Sequence, residues 1–213
     1  AKPALYRYYA ELDGFKAAEE IMTKSADEGT RVHEAAEAIL TGKKPEYAKD
    51  IEPSILAFQK FLETNDVQVD QEWVEKRIVN FNDRYAGTVD AMALIGGKFG
   101  VMDIKTSQGI YRDYNLQTAA YFPPLLEQFN TLQTRWILRI DQNQKCQMCG
   151  ASMRTKGGRE KIKAPYPSNG INYRNCNHEW GNTEGIVELK EFPYWQDDYQ
   201  AFLGAKKLWE WEH

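Results

Sequence analysis

Cysteine and histidine are scarce here, with three of each among 213 residues. An odd and small cysteine count excludes a disulfide framework and favours a reducing, intracellular setting. No apolar run approaches the roughly 20 residues that a membrane-spanning helix needs, and no signal-peptide pattern opens the chain. The expectation is therefore a cytoplasmic protein with no membrane partner. Internal repeats and low-complexity tracts are also missing. Basic residues are in deficit, 27 against 31 acidic, for a net charge of −4. Averaged over the chain, that balance argues against a nucleic-acid partner. What is present is an ordinary globular composition, 42% hydrophobic and 27% charged, enough for one domain with a real core.

The average conceals a division. Residues 145–180 hold seven basic side chains (Lys145, Arg154, Lys156, Arg159, Lys161, Lys163 and Arg174) against Glu160 and Glu179, a local charge of +5. The remaining 20 basic and 29 acidic residues leave −9 elsewhere. All three cysteines fall in the same stretch, together with His178. The stretch is rich in Gly, Asn, Ser and Pro and shows no sustained hydrophobic period, so it reads as a long loop ordered by something else. Cys146-Gln-Met-Cys149-Gly150 resembles a metal knuckle, and Cys176-Asn-His178 completes a Cys3His set suited to structural zinc. The Cys176–His178 spacing is tighter than usual in zinc fingers. An iron–sulfur cluster with histidine as fourth ligand, or free buried cysteines, remain open. The expected organisation is a core of residues 1–140 plus 184–213, interrupted by a basic, metal-held insertion at 141–183.

Periodicity predicts a helix over 25–41, capped by Ser25 or Asp27, with Val32, Ala36, Ile39 and Leu40 as its apolar stripe and His33 at the stripe's border. A second helix starts at Pro53 and ends near Thr64. Residues 67–79, 85–95, 98–105, 132–140 and 185–189 read as strands. Asp113 can cap a helix that Pro123-Pro124 ends or kinks. A last helix carries Trp195, Tyr199, Phe202, Leu203, Lys206 and Trp209 on one side, expected as core. The order predicts an α/β or α+β fold, with a mixed central β-sheet flanked by helices.

Gly96-Gly97 is a strong two-residue hairpin signal. With that turn, Leu94 faces Phe99, Met92 faces Val101, Asp90 faces Asp103 and Thr88 faces Lys105, all on one face. Two carboxylates placed opposite each other destabilise a sheet unless a cation compensates. Mg²⁺ or Mn²⁺ suits such oxygens. With Lys105 beside them, the group suits hydrolysis of a phosphodiester, the ion acidifying water and neutralising developing charge. The alternative is a pair of surface aspartates with an ordinary salt-bridge partner. Gln117 and Tyr121, spaced i and i+4, share a helical face near this end of the hairpin. They would position a phosphate or a base, or cap a core edge.

These residues taken together, Gly29-Thr-Arg-Val-His33-Glu34, Gly87-Thr-Val-Asp90, Asp103-Ile-Lys105-Thr106 and Gln117-x3-Tyr121, resemble the PD-(D/E)XK nuclease superfamily. The branch most similar is the RecB-like exonucleases, which include phage exonucleases. The resemblance covers residues 1–140 and the terminal strand and helix, with valine where the superfamily name has proline. It implies a restriction-endonuclease-like mixed sheet. It implies that His33, Asp90, Asp103 and the carbonyl of Ile104 hold the catalytic ion, that Lys105 is the catalytic lysine, and that Gln117 and Tyr121 bind DNA. Relatives often carry a strand-like segment before the position of residues 2–5, so an abbreviated N-terminus is expected. The setting implied is bacterial or phage-infected host cytosol. Glu72 and Glu75 read as solvated strand charges, with a supporting acid as the alternative. Tyr111 would stack on a base or cover the sheet. His213 is expected to be disordered.

The leading expectation is a metal-dependent DNA exonuclease acting at single-stranded ends, whose insertion offers Arg154, Lys156, Arg159, Lys161 and Lys163 to phosphates. The alternatives are a structure-specific endonuclease on the same core, or a non-catalytic DNA-binding module that uses the zinc insertion. RNA is not excluded as a substrate.

Overall fold

The computed structural model describes residues 8–12, 14–167 and 170–213, so the expectation about residues 2–5 lies outside the described residues. Helix α1 (Phe15–Leu40) and helix α2 (Glu52–Thr64) come first. Strands β1 (Val67–Asp70), β2 (Lys76–Asn80), β3 (Tyr85–Val89), β4 (Ala91–Ile95) and β5 (Lys98–Lys105) follow. Then come α3 (Asp113–Leu126), β6 (Thr134–Cys146), β7 (Ser152–Lys156), β8 (Arg159–Lys163), β9 (Trp180–Glu191) and α4 (Gln196–Glu212). The central sheet has the order β1-β4-β5-β6-β7-β8, with β9 also paired to β6; among the described residues only β5 and β6 run parallel. A mostly antiparallel sheet flanked by helices makes the chain mixed α/β.

The helices differ from the predicted ones in three features. Helix α1 starts after Gly14 and runs through Ser25 and Asp27, which cap nothing. The Ala-, Glu- and Lys-containing segment before them is a good helix former, and Ala18 extends the buried stripe backwards. Asp113 stands in the first turn of α3, where its charge suits the helix dipole, and does not cap it. Pro123 and Pro124 lie inside α3 instead of ending it. The Ala120 carbonyl, which Pro124 cannot engage, accepts a hydrogen bond from the Tyr85 hydroxyl at 2.7 Å.

The core lies on both faces of the sheet. Val32, Ala36, Leu40, Ile55 and Phe58 of α1 and α2 pack on Met102, Ile104 and Leu138. On the other face Tyr121, Phe122 and Leu125 of α3 cover Val89, Met92 and Val101. Strand β5 is thus buried on both sides, and each fully buried large side chain, Phe58 among them, contributes about 1.5–3 kcal/mol. Arg135 of β6 is fully buried. Its guanidinium donates to the carbonyls of Asn115 and Tyr194 at 2.6 Å, to Phe192 O and Thr118 Oγ1 at 3.2 Å, and to the Asp198 carboxylate. One side chain thereby fastens α3 and the start of α4 to the sheet.

Helix α4 buries less than its pattern predicts. Tyr199 is buried and Trp195 stacks on Phe122 at 5.6 Å, but Trp209 is 60% exposed. His213, expected to be disordered, stacks on Trp209 at 4.8 Å.

The stretch expected to lack secondary structure joins the sheet. Strand β6 continues to Cys146 and β9 begins at Trp180, so the two form a ladder well beyond the predicted strands at 132–140 and 185–189. Between them β7 and β8 pair as a hairpin turned by Gly157-Gly158. Polar, half-exposed strands such as Arg159–Lys163 carry no hydrophobic period, which is why the pattern misses them.

Candidate functional site

The Gly96-Gly97 turn sets the geometry. Both glycines have positive φ, +57° and +79°, as the tight hairpin turn requires, and Ile95 pairs with Lys98. The expected register holds as far as Ala91: Leu94 pairs with Phe99, Met92 with Val101 and Ala91 with Met102, but Thr88 pairs with Arg77 of β2 and not with Lys105. Asp90 falls one residue past the last pair, at a bend where the predicted strand 85–95 breaks into β3 and β4. Its Oδ2 accepts from the backbone N–H of Ile104 at 2.6 Å. Asp103 is fully buried, and neither carboxylate oxygen accepts a well-directed hydrogen bond among the described residues. The Lys105 ammonium stands 2.6 Å from Asp103 Oδ2. Burial, then the charge of Asp90, push the Asp103 carboxyl up to about 7, with Lys105 opposing them.

A further acid joins this end of the hairpin. The predicted strand 67–79 breaks at a 3₁₀ turn, Gln71–Trp73, and Glu75 N–H then donates to the Asp90 carbonyl at 3.1 Å. Ligand atoms of His33, Glu75 and Asp90 lie within 4.8 Å of one another, so these three side chains could hold a metal ion. The set expected from sequence differs in one member: Asp103 faces Lys105 and lies outside this group, and Glu75 is inside it. The Ile104 backbone favours the charged form of His33. Burial lowers the His33 pKa, aided by Lys105 and Lys156 and opposed by Asp90. Burial first, and then Asp90, raise that of Glu75. Neutral imidazole and carboxylate oxygens, with an unsatisfied buried carboxylate next to them, make a donor set that could hold a divalent metal ion.

Lys105 is held by a chain of polar contacts. Its ammonium donates to Gln117 Oε1 at 2.9 Å, and Gln117 Nε2 donates to the Tyr121 hydroxyl at 2.7 Å. The i, i+4 pair therefore does share one face, turned to the lysine. Burial raises the Tyr121 phenol above its ordinary range. The Tyr114 ring lies 5.2 Å from the Lys105 ammonium and meets Tyr111, 52% exposed, edge to face at 5.7 Å.

The hairpin β7–β8 reaches the same place. Lys156 donates to both the carbonyl and, at 3.0 Å, the hydroxyl of Thr106, the residue after Lys105. Arg154 donates to the Thr106 carbonyl at 2.9 Å and to Asp141 Oδ1 at 2.5 Å. Arg154 is only 9% exposed and so is not part of an open basic surface, the role expected for it; the fold spends its guanidinium on the end of β5. Burial, then Arg154, lower the Lys156 pKa to about 8. Lys161 and Lys163 are exposed, and Arg159 pairs with Glu11 at 2.6 Å. Gly29 of α1 lets the helix approach this loop, since a Cβ there would sit 2.8 Å from Thr106 Oγ1.

Between α1 and these strands runs a cleft of about 490 Å³ lined by Gly29, His33, Glu34, Glu37, Glu75 and Asp90. It adjoins a second of about 390 Å³ that shares Ser25, Ala26, His33 and Thr106 with it and adds Lys105, Tyr114 and Lys156. One groove thus changes from acidic to basic along its length.

Cys146, Cys149, Cys176 and His178 form a cluster that could hold a metal ion such as zinc. Cys146 Sγ lies 3.9 Å from Cys176 Sγ, and Cys149 Sγ lies 3.4 Å from His178 Nδ1. Strand β6 delivers Cys146 into a tight turn closed by Gly150, whose φ is +74° and whose N–H donates to the Cys146 carbonyl at 2.9 Å. Burial opposes the Cys146 thiolate, but the amides of Cys149 and Met148, with His178, outweigh it and bring its pKa down to about 6. A low thiolate pKa is what a metal ligand needs.

The residue that sequence reasoning left among solvated charges is Glu75. Its signal was spacing alone, and Glu72 matched that equally well. No model of a known protein family matches this chain, and no curated protein matches it either.

Proposed function

We propose that the protein is a metal-dependent deoxyribonuclease that hydrolyses phosphodiester bonds in DNA, with single-stranded ends as its substrate. The observation that carries the reading is the convergence of His33, Glu75, Asp90 and Lys105 on one groove that turns basic beyond Lys105, with the buried Asp103 carboxylate paired to Lys105. The residues at positions 33, 90, 103, 105, 117 and 121 follow the PD-(D/E)XK pattern, and the proposal includes a restriction-endonuclease-like core.

His33, Glu75 and Asp90 would hold a Mg²⁺ or Mn²⁺ ion, which would supply charge neutralisation and an acidified water. Asp103 would turn its buried carboxylate toward that ion or keep Lys105 in place. Lys105, whose ammonium Gln117 holds, would offset charge developing on a phosphoryl oxygen. Tyr121 orients Gln117 and takes no proton at neutral pH. Tyr111, half exposed beside Tyr114, would stack on a base of a strand leaving the groove. Lys161 and Lys163 would meet its phosphates. The Cys3His cluster would hold zinc and keep the β7–β8 hairpin against Thr106 without doing chemistry.

The test is a time course with Mg²⁺ or Mn²⁺ on 5′- and 3′-labelled single-stranded, duplex and circular DNA. Release of mononucleotides from linear single strands, lost in Asp103→Ala while DNA binding persists, supports the reading. Intact DNA under all of these conditions overturns it, and cutting of circles makes the enzyme an endonuclease.

A further inference from the structure

Beyond the basic end of the groove lies a third cavity, of about 370 Å³, of whose lining the proposed function uses Lys156 and Lys161 alone. It shares Ser25, Gln108, Arg154 and Lys156 with the cleft beside Lys105, so the two are continuous. Its two walls differ in chemistry. Helix α1 and the segment before it contribute Tyr8, Ile21 and Met22; the β7–β8 hairpin contributes Lys156, Arg159 and Lys161. Arg159 is ordered from both sides, its guanidinium 5.3 Å from the Tyr8 ring and paired with Glu11. Lys161 is exposed at the rim, and Met22 is 46% exposed.

The hairpin can approach α1 this closely because of Gly157. Its φ is +59°, and a Cβ there would fall 2.4 Å from the Ile21 carbonyl. The apolar and cationic walls are thus set against each other by backbone contact, not by chance packing of long side chains.

An apolar wall opposite a cationic one, with Gln108 also in the lining, matches the parts of a nucleotide: base, phosphate and base edge. The volume is at the lower end of ligand sites, about 300–1,000 Å³, which suits one unit and not a duplex. We propose that this cavity binds one nucleotide of the substrate strand, its base on Ile21, Met22 and Tyr8 and its phosphate on Lys161 and Arg159. The strand would be anchored there while the neighbouring phosphodiester lies at Lys105. The proposal rests on the nuclease reading only in taking the nucleotide as part of a polynucleotide.

The probe is dAMP, compared with deoxyadenosine and with inorganic phosphate, titrated by calorimetry into the full-length Asp90→Asn variant without added divalent ions or chelator. Saturable dAMP binding at about 1 mM or tighter, at least about 10-fold tighter than either fragment, is expected. Lys161→Ala and Met22→Glu should each weaken it about 10-fold. Phosphate binding as well as dAMP, absence of saturation, or indifference to both substitutions overturns the proposal. Wild-type cleavage with no dAMP binding removes the pocket alone, and dAMP binding without cleavage removes the nuclease reading alone.

Discussion

Lys156, on a hairpin far along the chain, donates from its ammonium to both the carbonyl and the hydroxyl of Thr106. Thr106 directly follows Lys105, so the insertion holds the end of the strand that carries Asp103 and Lys105. Lys156→Met keeps the bulk of the side chain and removes the contact. It should lower kcat by about 10- to 100-fold, with a smaller change in KM and an unaltered circular dichroism spectrum. Undiminished kcat would show that the hairpin does not position the site.

Glu75 should matter as much as the residues the motifs single out. It is exposed enough that Glu75→Gln will not unfold the chain. Removing one of three clustered donors should weaken Mn²⁺ binding about 10- to 100-fold in calorimetry, whereas Glu72→Gln, outside the cluster, should leave it unchanged.

Asp103 makes stability depend on pH in a stated direction. Its ordinary pKa is 3.8, and burial beside Asp90 raises it to about 7 in the folded chain. The folded state therefore binds the proton more tightly. This contribution is complete below the unfolded pKa and disappears as pH rises through about 7. Without added Mg²⁺ or Mn²⁺, Asp103→Asn should be the more stable protein at pH 8 by about 4 kcal/mol and lose that advantage at about pH 4. The difference in urea midpoints between the two proteins isolates Asp103 from other titrating groups. A difference that is constant with pH contradicts the burial argument.

The cysteine cluster predicts one zinc per chain by elemental analysis, with no visible iron absorption band. Cys176→Ser should release it, expose β7–β8 to proteolysis and lower Tm by more than about 6 °C. Iron, or no metal in freshly purified protein, would refute zinc.

Arg135 is the most exposed to mutation of the purely structural residues. Arg135→Met keeps volume but strands the carbonyls of Asn115 and Tyr194 and the buried side of Asp198. A loss of about 3–5 kcal/mol in chemical denaturation is expected, with local contacts at the groove unaffected.

The parts of the site that lie within one hairpin or one helix were legible in the sequence. Gly96-Gly97 fixes the register of β4 and β5, and i, i+4 spacing fixes Gln117 against Tyr121, because both are local rules of backbone geometry. His33 was legible as a border position on its helix. What escaped depended on contacts distant in sequence. Glu75 is chosen over Glu72 by the 3₁₀ turn before it, the proline pair is tolerated because Tyr85 caps Ala120 from another strand, and Arg154 is buried by Thr106 and Asp141. The strands β7 and β8 escaped because polar residues on a half-exposed hairpin leave no apolar period to read.

The break between β1 and β2 works as a change of phase. Asp70 pairs with Met92 and Lys76 with Val89, so the first strand advances six residues while its partner advances three. Because three is odd, the alternation of faces restarts there, and the surplus decides which glutamate meets Asp90. Without the slip that place would belong to Glu72, with the slip it belongs to Glu75. A related chain with one residue fewer in this turn would carry its acid at a different offset. Any comparison that runs 70–76 without a gap would then pair the wrong glutamates and find no shared acid where the three-dimensional position is the same.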